Sequence, residues 1–256
     1  MKRITFVAVF ALAVTAAHTQ TRTGLCMLSA SEKGEGATFI VHHTDCEEGN
    51  ECGTSDHTNV PWSRWTGVSA QSLAQNGAAL EARLHADAGD LRCNGSVHDG
   101  ILTGHYTFAS SADYSRQLQS LGLEEMPDRR LEGYAMLDVS IDYVKQLQAA
   151  GVTGLSSHHI LSMKALNVTP TYISEMTAAG YPEHDAHKLT SMKAVGVTPE
   201  KVKEAKSLGF EPTQHELTQM CVFHIDRAFV EKMRSRGLKD LTLAKLVKIK
   251  VFKLDE

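Results

Sequence analysis

The chain lacks a marked excess of either charge: 26 lysines and arginines stand against 30 aspartates and glutamates over 256 residues. A nucleic-acid binder carries a strong basic excess, so no nucleic-acid partner is expected. After the first fifteen residues no apolar run approaches the roughly 20 residues needed to cross a bilayer. No transmembrane span is therefore expected once a leader has been removed. The enzyme signatures are missing too. There is no Gly-x-Ser-x-Gly elbow, no Ser-x-x-Lys pair, no Walker loop and no HExxH helix, and the chain is read as a non-enzyme with no catalytic residue and no cofactor.

What is present begins with MKRITFVAVFALAVTAAHTQT, where Lys2 and Arg3 precede an apolar run from Ile4 to Val14 and then small and polar residues. This is the layout of a secretory signal peptide, assigned to residues 1–21, with cleavage after Ala16 or Ala17. Lipid anchoring at Cys26 is disfavoured by the bulky Leu25 before it. Periplasmic or secreted localisation follows. The five cysteines, Cys26, Cys46, Cys52, Cys93 and Cys221, are then expected in an oxidising compartment. Five is odd, so one is free or pairs between chains. Sequence does not fix the pairing; Cys46 with Cys52 is the first choice and Cys26 with Cys93 the second.

The strongest pattern lies in the C-terminal part. Gly122, Gly151, Gly180, Gly209 and Gly237 follow one another at intervals of 29, 29, 29 and 28 residues. Eleven residues before them stand Ser111, Ser140, Thr169, Thr198 and Asp226, each able to accept from the free amides of a helix start. Pro170 and Pro199 follow two of these caps at the first helical position. Each glycine falls where a left-handed C-terminal cap is wanted. Between cap and glycine the apolar residues keep helical spacing, as in Tyr143, Val144 and Leu147 or Tyr172, Ile173 and Met176. A second pattern follows each glycine, such as Ile160, Met163 and Leu166, with caps at Ser156, Asp185, Thr213 and Thr242; Pro127 breaks that column. The last pattern, LAKLVKIKVFKLDE, also alternates like a strand. The reading is an all-α array of about five two-helix repeats of about 29 residues over 110–256.

Residues 22–109 read as a small antiparallel β domain stapled by a disulfide. GATFIVHHT and DLRCNGSVHDGILTGHYTF favour strands through Thr, Val, aromatics and glycine turns, and VSAQSLAQN between them is expected to form a short helix. Five basic residues face eleven acids there, whereas from residue 225 onward nine basic residues face five acids. The fold class is α+β.

One cluster suggests metal chemistry. HHTDCEEGNECGTSDH brings together His42, His43, Asp45, Cys46, Cys52, Asp56 and His57, and imidazoles and thiolates at that density can hold zinc or copper. The ligands named are His42, His43, Cys46, Cys52 and His57. The cysteine spacing matches no common zinc module, and a Cys46–Cys52 disulfide would remove both thiolates. His158, His187 and His215 occupy matching places on successive second helices and read as a solvated face, since packed helices about 8–10 Å apart keep three such side chains from one ion.

Two stretches carry a resemblance. GVTPEKVKEAKSLGF with its recurrences, and NGSVHDGILTGHYTF leading into ADYSRQLQSLGL, resemble exported bacterial proteins in which a glycine-punctuated β segment precedes helical repeats. The same arrangement forms the extracytoplasmic tails of some BlaR-like antirepressor metallopeptidases. The resemblance implies export and protein contact. Peptidase activity is not carried over, because this chain has neither HExxH nor the membrane part, and DGILTG is sparser in glycine than the corresponding family run. The function expected is an exported binding or regulatory module whose helical surface meets another protein of the cell envelope. The alternative is a periplasmic metal-binding protein using the 42–57 loop.

Overall fold

In the computed structural model, which describes residues 21–32, 34–44 and 52–254, seven antiparallel strands precede ten helices. The strands are β1 (Thr21–Ala30), β2 (Gly36–His43), β3 (Thr54–Pro61), β4 (Trp65–Thr66), β5 (Ala79–Ala86), β6 (Gly89–His98) and β7 (Ile101–Ser110). Their order across the sheet is β3-β2-β1-β7-β6-β5-β4. The leader before Thr21 lies outside the described residues. VSAQSLAQN forms only a single 3₁₀ turn, Ser72–Ala74.

The two edge strands are consecutive in sequence. Only Trp62–Arg64 separates β3 from β4, so the chain steps from one edge of the sheet to the other and the sheet must curl to allow it. Phe39 on β2 and Trp65 on β4 meet across that gap with ring centres 5.1 Å apart. Alternation then gives each strand one inward face: Cys26 and Leu28, Phe39 and Val41, Leu91 and Cys93, and Tyr106 and Phe108 are all buried.

Cys26 and Cys93 are joined by a disulfide, although β1 and β6 are not neighbours in the sheet. The bridge spans β7, where Gly104 registers with Cys26 on one side and with Gly95 on the other. A Cβ on Gly104 would lie 2.0 Å from the Asn94 carbonyl oxygen, and one on Gly95 would lie 1.9 Å from that of Thr103. Glycine at this pair lets the two backbones close together beside the bridge.

The helices are α1 (Ala112–Ser120), α2 (Asp128–Met136), α3 (Ile141–Ala149), α4 (Ser157–Ala165), α5 (Pro170–Ala178), α6 (Ala186–Ala194), α7 (Pro199–Ser207), α8 (Gln214–Val222), α9 (Arg227–Ser235) and α10 (Leu243–Val251). LAKLVKIKV is thus helical. Helices this short are marginal alone, and their ends are held closely. Ser111, Ser140, Thr169, Thr198 and Asp226 each accept from the amide three residues on. Pro127 alone gives no side-chain cap. Gly122, Gly151, Gly180, Gly209 and Gly237 have φ of 84, 76, 82, 87 and 83°. The residue after each glycine donates its amide to the carbonyl five back, as Leu123 does to Leu118 and Val152 to Leu147, which completes a Schellman motif.

Packing is chiefly between alternate helices: α2 meets α4, α4 meets α6, α6 meets α8 and α8 meets α10, while α1 meets α3 and α5 meets α7, and α7 also meets α8. Two layers result. Along one of them runs a recurring tie. Tyr114, Tyr143 and Tyr172 donate their hydroxyls to the carbonyls of Val139, Val168 and Val197, at 2.6, 2.7 and 3.0 Å. Each accepting residue directly precedes the N-cap of the next helix of that layer. Burial pushes these phenols up, Tyr172 to about 12, so they remain protonated donors.

The array is keyed to the sheet through α2. Glu132, 4% exposed, takes Arg22 of β1 at 2.5 Å and lies 3.6 Å from the His43 ring of β2. At the far end of α2, Arg64 donates to the carbonyls of Met136 and Ala135 at 2.6 and 2.8 Å. A guanidinium there satisfies carbonyls that the helix leaves without partners.

Candidate functional site

The histidines of the 42–57 segment are divided by the strand that carries them. His42 and His43 are adjacent on β2, so they face opposite sides of the sheet. His42 is exposed, with Nδ1 3.3 Å from the Thr54 hydroxyl. His43 is buried, with Nε2 3.4 Å from the Ser55 hydroxyl and near Glu132. His57 registers with the inward-facing Phe39, and desolvation by burial lowers its pKa against the opposing effect of Asp56. Cys52 is disulfide-bonded, which removes its thiolate as a ligand, and Asp45 and Cys46 lie outside the described residues. Among the described residues no three His, Cys, Asp or Glu side chains are grouped closely enough to hold a metal. Cys221 is the free thiol among the described cysteines; it is half-buried on α8, and burial raises its pKa.

The helical layers differ in charge. The five helices α2, α4, α6, α8 and α10 carry eight lysines and arginines against three acids. Two of those acids are engaged: Glu132 in the buried pair with Arg22, and Glu216 in the capping box of α8. The other layer carries eight basic residues against six acids and is nearly balanced.

Within the cationic layer the side chains form a continuous strip over three helices. Arg130 on α2 lies 3.4 Å from Nδ1 of His158 on α4. The His158 and His159 rings are 6.0 Å apart, and His159 and His187 on α6 are 6.1 Å apart. His158 and His187 are exposed. The strip arises because Ser156 and Asp185 cap α4 and α6 at corresponding places, so residues two and three past each cap share one edge of the layer. Spacing in the sequence aligns His158, His187 and His215; it did not show that His159 and Arg130 bridge the helices. His215 is exposed on α8, and His184 turns aside with Nδ1 3.2 Å from the Ala150 carbonyl oxygen.

The fold and this surface define an α+β protein, a disulfide-bonded curled sheet carrying a helical array with one cationic face. No family model, curated protein or solved structure matches the chain.

Proposed function

We propose that the chain is an exported, non-enzymatic binding or regulatory protein, and that its ten helices are five stacked two-helix repeats presenting a surface to another protein of the cell envelope. The observation that supports this reading is the pairing of alternate helices into two layers. Stacked short helix pairs bury their apolar stripes on one another and turn their remaining faces outward, and such arrays serve as extended contact surfaces. The capping residues and the buried tyrosines are engaged in holding that scaffold, and the cationic layer is the surface left to meet a partner. Export rests on the leader sequence and on the Cys26–Cys93 disulfide, which suits an oxidising compartment.

Site-specific photo-crosslinking in the native host tests the reading. A crosslinker placed at the exposed positions His187 and Lys245 is expected to trap one envelope protein, while the same group at Thr103 on the sheet traps none of it. Absence of any protein adduct from either array position would count decisively against the proposal.

A further inference from the structure

The cationic strip has a chemistry that narrows the partner. Arg130 is a permanent cation, and at 3.4 Å it donates to Nδ1 of His158, which requires that nitrogen to be unprotonated. Around the strip, Glu124 in the connection before α2 lies with Oε1 3.1 Å from the Ser157 hydroxyl, and α2 contributes Arg130. From α6 come His187 and Lys188, with the Lys188 ammonium 3.5 Å from the carboxylate of Glu183 in the connection before α6, while Asp185 accepts the Lys188 amide as helix cap. His159 Nδ1 lies 2.8 Å from the Gly154 carbonyl oxygen. No carboxylate pairs with His158, His159 or His187 among the described ion pairs. A metal cation would be repelled by Arg130; an anion would be drawn to it.

Building on the reading of the array as a protein-binding surface, we infer that this strip docks an acidic, extended polypeptide segment. Geometry selects the class of anion. The ring-to-ring steps of 6.0 and 6.1 Å are close to the roughly 6.6 Å between same-side side chains of an extended chain, two residues at about 3.3 Å each. Carboxylates at alternate residues match that spacing, and the imidazole N–H groups and the Arg130 guanidinium are the donors that would hold them.

The test is isothermal titration of the full chain with a twelve-residue peptide of alternating Glu and Ser at constant pH and ionic strength, with a peptide of alternating Lys and Ser as its counterpart. The Glu peptide is expected to bind and the Lys peptide not. The double variant His158→Gln/His187→Gln, at two exposed positions, and the single variant Arg130→Gln are each expected to fold normally and to bind the Glu peptide about tenfold more weakly. Heparin oligosaccharides and vesicles of phosphatidylglycerol form the control arms. The inference is overturned if the Glu peptide does not bind, if only heparin or the vesicles bind, or if neither variant weakens binding. A peptide that fails to bind, while the array crosslinks to a protein in the host, removes this inference and leaves the general function standing.

Discussion

Lys201 and Val222 exchange the chemistry of two columns that run through the helical array. Where Tyr143 and Tyr172 sit on earlier helices, each with its hydroxyl on a carbonyl 25 residues on, α7 carries Lys201, whose ammonium reaches the Ile225 carbonyl at 3.3 Å. Over the two tyrosine rings stand the ammonium groups of Lys164 and Lys193, at 5.0 and 4.3 Å. At the matching position, 29 residues after Lys193, stands Val222. A lysine in that column gains from a ring face and loses against a second ammonium, so the two positions change together. Val222→Lys is therefore expected to destabilise the protein by about 0.5–1 kcal/mol, and Lys201→Tyr/Val222→Lys to recover most of it. A double-mutant cycle by urea unfolding reads the coupling; additive effects would show that the columns are independent.

The tyrosine ties give a second expectation. Tyr143→Phe removes only the hydroxyl and leaves the Val168 carbonyl without that donor. An unsatisfied buried acceptor costs about 1–3 kcal/mol, and each kcal/mol lowers Tm by about 2–4 °C in a domain of this size. Tyr172→Phe should behave alike. A Tm unchanged in both variants would mean that packing of the ring alone holds successive helices of that layer in register.

Reduction of the Cys26–Cys93 bridge supplies a third. The cysteines are 67 residues apart, and the loop-entropy relation gives about 4 kcal/mol for closing a loop of that length. Cys26→Ala/Cys93→Ala should accordingly lower the urea midpoint of the sheet and leave the far-UV signal of the folded protein close to wild type. Equal stability with and without the bridge would contradict the loop-entropy account of its role.

The fourth concerns acid. Burial lowers the pKa of His57, so in the folded protein it resists the proton that the unfolded chain accepts near about pH 6.5. The unfolded state then binds more protons, and stability falls as the pH drops from about 6.5 through the lower folded value. The contribution is fully present above that window. His57→Gln should flatten the decline in urea midpoint between pH 7 and 5; an unaltered slope would place the acid sensitivity elsewhere.

The helical half was largely legible in sequence and the sheet only in part: GATFIVHHT and DLRCNGSVHDGILTGHYTF read as strands and form β2, β6 and β7. Ser111, Ser140, Thr169, Thr198 and Asp226 act on amides three residues away, so their role can be read from neighbouring letters. TRTGLCMLSA gave no such signal. It contains a glycine, little aromatic or β-branched content and a mixed pattern, yet it forms β1 because β2 and β7 pair with it on either side. β3 and β5 were hidden for the same reason. The cluster at 42–57 shows the limit of local reading: proximity in sequence brought His42 and His43 together, and the two-residue period of a strand turned them apart.

The sequence alone determined where helices begin and end and which residues line their apolar stripes, because these are contacts within one turn of chain. Tertiary structure alone decided that β7 lies between Cys26 and Cys93, that Glu132 on α2 takes Arg22 from β1, and that Arg130, His158, His159 and His187 form one strip. Those relationships depend on register and layer packing between distant segments, and loop closure, rather than local preference, brings such segments into contact.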